Sequence, residues 1–390
     1  MTDPWVAALA LALAAGLGGW WLADRTRRRR HAPAERGLSN NYFRGLNYLL
    51  TEEQDKAIDL FLQLAEVNED TIEIHLALGK LFRRRGEFER AIQFHRHIIS
   101  RPRLSERQRL EALFELGEDY LHAGLLDRAE KLFEELLLQH PEHPVATRRL
   151  IHIYQQQKDW HKAIERARDL DDPSERSRLI AHFCCELAAR ALESGELAQA
   201  RRLLERASIA ATRLGRVALM EGRLALAEGD SASAVRHWQR ACELEPRLGA
   251  LLLPAMIEVL EAEPQEDFER WLQAHAARSD DKSALLALAH LAHRRQSSDA
   301  RARLQDYLQR HPDLHALREW IGTSDPQRLR DSGVDPELLG EVLERLISRE
   351  PQFRCTQCGL DANLWHWQCP GCHRWDSLVP VSGTLHGLKE

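Results

Sequence analysis

The sequence lacks the short motifs by which most catalytic sites are recognised. It has no G-x-S-x-G elbow, no phosphate-binding P-loop, no G-x-G-x-x-G behind a strand, and no H-E-x-x-H among its 19 histidines. Its carboxylates sit beside Arg and Lys on helix faces, where they read as i,i+4 pairs rather than acid–base dyads. Proline is scarce, 15 in 390 residues, and no tract is of low complexity, which leaves little room for disorder outside the termini. Seven cysteines, four of them in the last forty positions, do not make an evenly spread disulfide framework. Basic charge is not in excess either. The formal net charge of −6 argues against wholesale nucleic-acid binding. A non-enzymatic protein is expected.

What is present is helical repetition. In Leu113–Pro141 the residues Leu113, Leu116, Gly117 and Tyr120 share one helix face, Gly124 breaks the helix, and Ala129, Leu132, Phe133 and Leu136 share a face of the next. Two helices this short cannot bury their apolar faces alone. Neighbours follow: Ala57, Ala91, Ala129, Ala163, Ala200 and Ala234 are spaced by 34, 38, 34, 37 and 34 residues, and Ala300 comes 66 later, leaving room for a degenerate unit around Trp271. Gly45, Gly79, Gly117 and Gly222 recur in first helices, and Gly86, Gly124, Gly195 and Gly229 mark the turns. The pattern resembles the tetratricopeptide repeat, which implies a solenoid with a concave surface suited to proteins. Lys80, Glu118, His152 and Arg223 should lie toward that surface, most of them as plain solvated side chains.

Residues Pro4 to Ala23 carry no charge over twenty positions, which at 1.5 Å per residue spans roughly 30 Å, a bilayer core. Trp5, Trp20 and Trp21 stand where aromatic residues favour the interface, and Arg25 and Arg27 to Arg30 follow, placing the bulk of the chain in the cytoplasm. A signal peptide carries its charge before the apolar run; here Met1-Thr-Asp precedes it, so an uncleaved inner-membrane anchor is expected. The arginine run could also bind anionic lipid, although its role as topology signal suffices.

The tail has a different chemistry. Cys355, Cys358, Cys369 and Cys372 form C-x2-C, ten residues, C-x2-C, the spacing of two knuckles that complete a tetrahedral four-sulfur site. Such a site suits zinc and also a single iron, as in rubredoxin; with every position taken by sulfur, a zinc there is structural. Trp365, Trp367 and Trp375 are expected either to form the small domain's core or to pack it onto the last repeat.

Taken together, the apolar segment followed by arginines, the repeats from Leu38, and the ending FRCTQCG…LWHWQCPGCHRW resemble the lipopolysaccharide assembly protein B family over the whole chain. Trp365, Cys369, Pro370, Cys372 and Trp375 carry the most specific part of the likeness. The ten-residue interval, and His373 where rubredoxins usually have glycine, depart from true rubredoxins and favour a structural metal over a redox iron. The resemblance implies an inner-membrane adaptor that promotes proteolysis of the LpxC deacetylase by the membrane protease FtsH, in association with a lipopolysaccharide-sensing membrane protein. A generic membrane-tethered tetratricopeptide scaffold for an envelope complex is the alternative. An electron carrier is a further one, and a nucleic-acid ribbon ranks last because Arg354, Arg374 and Lys389 are balanced by Asp361, Asp376 and Glu390.

The expected organisation is therefore mostly α: an anchor over residues 1–23, a basic linker over 24–37, a tetratricopeptide superhelical solenoid over 38–350 and a rubredoxin-like metal ribbon over 351–390. Homo-oligomerisation is left open by the sequence.

Overall fold

The computed structural model describes residues 72–381 apart from 103, 261–265, 280–281, 295–299, 323–325 and 332, together with 44, 48, 56 and 60. The expected anchor, the linker and all but those four residues of the repeat around Ala57 lie outside the described residues. No helix among the described residues is long and apolar enough to cross a membrane. The chain divides into two compact units, Met1–Lys158 and Asp159–Glu390.

In the first unit the helices are α1 (Ile72–Arg84), α2 (Phe88–Ile99), α3 (Glu106–His122), α4 (Leu126–Gln139) and α5 (Pro144–Gln156). Their starts are written locally. Ser105 and Gln108 form a reciprocal capping box on α3, and His143 caps α5 with Pro144 in its first turn. Close approach within each pair depends on glycine. A Cβ on Gly79 would lie 2.4 Å from His95, and one on Gly117 would lie 2.7 Å from Phe133, so each ring rests on bare backbone sixteen residues away. Ala91 and Ala129 are fully buried.

First helices of successive repeats are tied by ion pairs. Arg83 of α1 reaches Glu115 and Asp119 of α3 at 2.6 and 2.7 Å, and His95 of α2 meets the other oxygen of Asp119. Burial works against the Arg83 charge, but hydrogen bonds from it to Glu115 and Asp119 outweigh burial and raise its pKa. Lys80 lies 3.1 Å from Glu115, and Glu118 is held by Arg149 of α5 at 2.5 Å. Of the four residues expected toward the concave surface, most of them solvated, Glu118 departs: it is buried and bridges to α5, while Lys80 bridges to α3 with its side chain still 36% exposed.

The second unit continues with α6 (Trp160–Ala167), α7 (Pro173–Glu193), α8 (Leu197–Ala210), α9 (Gly215–Ala227) and α10 (Ser231–Leu244). It goes on through α11 (Gly249–Val259), α12 (Glu266–Ser279), α13 (Lys282–Arg294), α14 (Ala300–Arg310), α15 (Leu314–Gly322), α16 (Pro326–Asp331) and α17 (Pro336–Ile347). Asp159, Asp172, Asp230 and Asp335 cap α6, α7, α10 and α17 through their side chains. The glycine–ring pairing recurs, for a Cβ on Gly222 of α9 would lie 2.3 Å from Trp238 of α10. The predicted turn glycines Gly86, Gly124, Gly195 and Gly229 all have φ between 74° and 83°. Lys158 occupies the same turn position in its repeat with φ 56°, a left-handed residue that spacing from Gly124 would have flagged. Trp271 falls on α12, and beyond it Leu286, Leu304, Tyr307 and Ala316 make a separate small core for α13 to α15.

The described residues end in a three-stranded antiparallel sheet of β1 (Phe353–Cys355), β2 (Asp361–Ala362) and β3 (Leu378–Pro380), in the order β2-β1-β3. Phe353 pairs with Ala362 on one side and with Pro380 on the other.

Candidate metal centre

The two C-x2-C segments fold as matching turns. Gly359 N–H donates to Cys355 O at 3.0 Å, and His373 N–H donates to Cys369 O at 2.9 Å. In each turn the residue after the second cysteine is left-handed, with φ 74° at Gly359 and 56° at His373. Glycine suits that conformation without steric cost; histidine does not.

Both turns aim their sulfurs at one point. The Sγ atoms of Cys355, Cys358, Cys369 and Cys372 all lie within 4.8 Å of one another, with Cys355 to Cys372 and Cys358 to Cys369 each at 3.7 Å. A disulfide needs sulfurs about 2.05 Å apart. Four sulfurs about 2.3 Å from a central zinc stand roughly 3.8 Å from each other along a tetrahedron edge. The spacing fits a metal and not two disulfides.

The protonation chemistry agrees. Burial works against the Cys355 thiolate, but the Ser377 hydroxyl and the backbone of Cys358 and Gln357 outweigh it and bring its pKa to about 6. Burial and the neighbouring thiols push Cys372 up to about 12. Four adjacent sulfurs cannot all carry charge until a cation sits among them. Cys355 and Cys369 are buried, whereas Cys358 is exposed and Cys372 half-buried, so the site lies at the surface of the ribbon. With four protein sulfurs there is no open coordination position, and the metal would supply cross-linking rather than chemistry on a substrate. The other cysteines, Cys184, Cys185 and Cys242, are buried in helices, and burial pushes Cys185 up to about 12.

The ribbon is held against the middle of the second unit. Trp375 stacks on His182 of α7 at 4.5 Å between ring centroids and meets Phe183 and Trp160 edge-on at 6.0 and 6.3 Å. Arg216 of α9 lies over Trp367 and Trp375, 4.8 and 5.4 Å from their centroids, while Glu186 accepts a hydrogen bond from it at 2.6 Å. Arg247, just ahead of α11, donates to the carbonyl oxygens of Asp376 and Leu378 at 2.5 and 3.0 Å. Its other face is fixed by Glu245 at 2.7 Å, and Glu245 in turn accepts from the Gly215 N–H that opens α9.

Packing onto the last repeat is therefore corrected in part. Trp365 and Trp367 do form the ribbon's core, edge-on to each other at 5.4 Å and with Trp365 edge-on to Phe353. Trp375 instead anchors the ribbon to α6, α7 and α9, because two aromatic platforms and two arginines converge there. Sequence reading missed His182, Arg216 and Arg247. A signal existed: His182 and Arg216 stand 34 residues apart, one repeat period, both polar and both buried.

Comparison with known proteins places this architecture. Residues 353–380 match the rubredoxin metal binding domain and residues 114–175 the tetratricopeptide repeat. The chain is 34% identical over 383 residues to Lipopolysaccharide assembly protein B of Escherichia coli K12, covering 95% of this chain and 96% of that protein.

The chain belongs to the lipopolysaccharide assembly protein B family.

The Haemophilus influenzae family member is 31% identical over 395 residues, 97% of this chain and 98% of that protein. Among solved structures, MamA is matched at 19% identity and a TM-score of 0.33, over 46% of this chain and 95% of that one. The C-terminal part of a TPR repeat-containing protein from Cytophaga hutchinsonii is matched at 12% identity and a TM-score of 0.37, over 67% of this chain and 99% of that one. Neither structural likeness bears on function.

Proposed function

We propose that this family member is a non-enzymatic adaptor in lipopolysaccharide assembly, anchored in the inner membrane through Pro4–Ala23, with its bulk in the cytoplasm. In this reading it restrains lipid A synthesis by delivering the LpxC deacetylase to the FtsH protease and takes its cue from a lipopolysaccharide-sensing membrane protein. The observation that carries the proposal is the likeness over 95% of the chain to Lipopolysaccharide assembly protein B. The anchor confines the repeats near a membrane protease, which raises effective concentration without new contacts. The repeats offer helix faces for client and protease, and Cys355, Cys358, Cys369 and Cys372 hold one structural zinc that keeps the ribbon folded against α7 and α9.

A pulse-chase of LpxC in the source organism, with and without depletion of this chain, tests the proposal. A longer LpxC half-life on depletion, reversed by the wild-type chain and not by a Cys355→Ser/Cys358→Ser variant, is expected. An unchanged half-life reduces the proposal to a tethered tetratricopeptide scaffold. Metal analysis and absorption spectra of protein purified without added metal separate zinc from iron, since zinc has no visible spectrum.

A further inference from the structure

We propose that a second copy of this chain covers the outer face of α17 in an antiparallel, two-fold pairing. This last helix before the ribbon carries two apolar ridges, each built of residues four apart. Leu339, Leu343 and Ile347 form the inner ridge, with Leu343 buried and the other two half-buried. On that side α17 contacts α15, and Arg318 of α15 donates to Glu344 at 2.5 Å. Leu338, Val342 and Leu346 form the neighbouring ridge, and these are 60%, 42% and 43% exposed. The terminal helix of a repeat array ordinarily turns a polar face outward for solubility. Three aliphatic side chains in one exposed row depart from that rule and mark a surface of interaction.

The order of charges beside the ridge chooses the occupant. Glu337, Glu341, Arg345 and Arg349 run along its flank at the same four-residue spacing, two acids and then two bases, all exposed. Arg349 stands in the turn that closes the helix, its N–H donating to Leu346 O at 3.1 Å. Within the chain Glu341 lies 3.6 Å from Arg345 and Glu337 3.7 Å from Arg330, in solvated pairs that are worth little and exchange readily. Asp335 is committed to the cap on the Glu337 N–H, and Glu344 to Arg318, so neither adds to the flank. A second α17 laid antiparallel, with the two-fold axis near Val342 and Leu343, sets Glu337 and Glu341 level with Arg349 and Arg345 of the second copy, twice over. The same placement lays Leu338, Val342 and Leu346 on Leu346, Val342 and Leu338 of that copy. A parallel pairing opposes acid to acid and base to base, and a wholly acidic or wholly basic helix matches only half of the flank. The helix dipole favours acids first and bases last on any helix, but it requires no apolar ridge beside them. A reversed copy of the same helix satisfies both features.

The full chain in detergent micelles, followed by sedimentation velocity, tests the pairing. A dimer with a dissociation constant of about 10 μM is expected, since one helix pair is a small interface. Val342→Glu, close to the two-fold axis, should weaken it at least about ten-fold, and Glu341→Arg alone or Arg345→Glu alone about as much. An equal mixture of the two charge variants should regain the wild-type association, because every acid of one copy then meets a base of the other. No contact within a single helix gives that recovery. All three variants alter exposed positions, and unchanged circular dichroism establishes that they fold. In cells making the full chain, a photo-reactive Val342→p-benzoylphenylalanine variant should cross-link to α17 of a second copy. A monomer throughout the concentration range, a dimer indifferent to Val342→Glu, or a mixture no tighter than its components overturns the proposal. So does a cross-link to another segment of the same chain, to a different protein or to lipid.

Discussion

His182 Nε2 and Asp376 Oδ2 lie 2.8 Å apart although 194 residues separate them in the chain. His182 is fully buried on α7, and Asp376 sits in the ribbon with φ 56°, a conformation open to aspartate and asparagine. Around this pair stand Arg216 and Arg247, so the ribbon is docked by charge as well as by its tryptophans.

Asp376→Asn keeps the shape and the backbone conformation while removing the charge. Ribbon docking should weaken by about 2 kcal/mol, the worth of a hydrogen bond to a charged group. Proteolytic cleavage in the segment between α17 and β1 should quicken, with helix content unchanged by circular dichroism. Unaltered cleavage would mean that the tryptophans alone hold the ribbon.

Acid should release the ribbon. Burial, together with Arg216 and Arg178, holds the His182 pKa below its ordinary 6.5 despite Asp376. The folded state then resists a proton that the unfolded state accepts, so stability falls as pH drops below about 6.5. Burial works against the Asp376 charge, but His182 and the two arginines outweigh it and depress its pKa. That stabilisation is present above the ordinary carboxylate value of 3.8 and is lost as pH falls through the lower folded one. Tryptophan fluorescence against pH should show loosening that begins near pH 6.5, and His182→Gln should remove that first phase.

Chelation of the metal should unfold the ribbon alone. Structural zinc contributes on the order of 10–16 kcal/mol of apparent binding energy, more than so small a core supplies. Emission from Trp365, Trp367 and Trp375 should shift to the red while helical circular dichroism persists. Loss of both signals together would show that the repeats depend on the ribbon.

Replacing His373 by glycine should stabilise the ribbon by about 0.5–1 kcal/mol, because a left-handed residue is relieved of its Cβ. Gly359→Ala should cost about 1 kcal/mol or more at the matching position of the first knuckle. The midpoint of metal release under rising denaturant reads both. Equal midpoints would sink the conformational argument.

In the repeats, Gly117→Ala places a methyl 2.7 Å from the Phe133 ring and should cost about 1–3 kcal/mol. Phe133→Leu in the same chain should recover part of the loss, since the two side chains share one space. Thermal unfolding of the single and double variants measures the coupling, and simple additivity would disprove it.

Much of this architecture was written locally. A left-handed turn selects glycine at Gly86, Gly124, Gly195 and Gly229, helix starts select Ser105, Asp172 and Asp230, and a sulfur knuckle needs two cysteines three apart. Each of these requirements is met within a few residues, so spacing alone reveals the helix pairs and the four-sulfur site. The Gly117–Phe133 contact is nearly as local, sixteen residues within one hairpin.

The seat of the ribbon is of another kind. Nothing near Trp375 names His182 as its platform, nor does anything near Arg247 name the carbonyl oxygens of Asp376 and Leu378 as its acceptors. Those groups become neighbours only once stacked repeats bring α7, α9 and the start of α11 to one surface. A charge such as Arg216 is tolerated in a buried place because Glu186 and two aromatic faces arrive there together. Sequence by itself determined the helical repeats and the metal-binding chemistry; tertiary structure decided where the metal domain rests, because partners far apart in the chain meet only after each has folded.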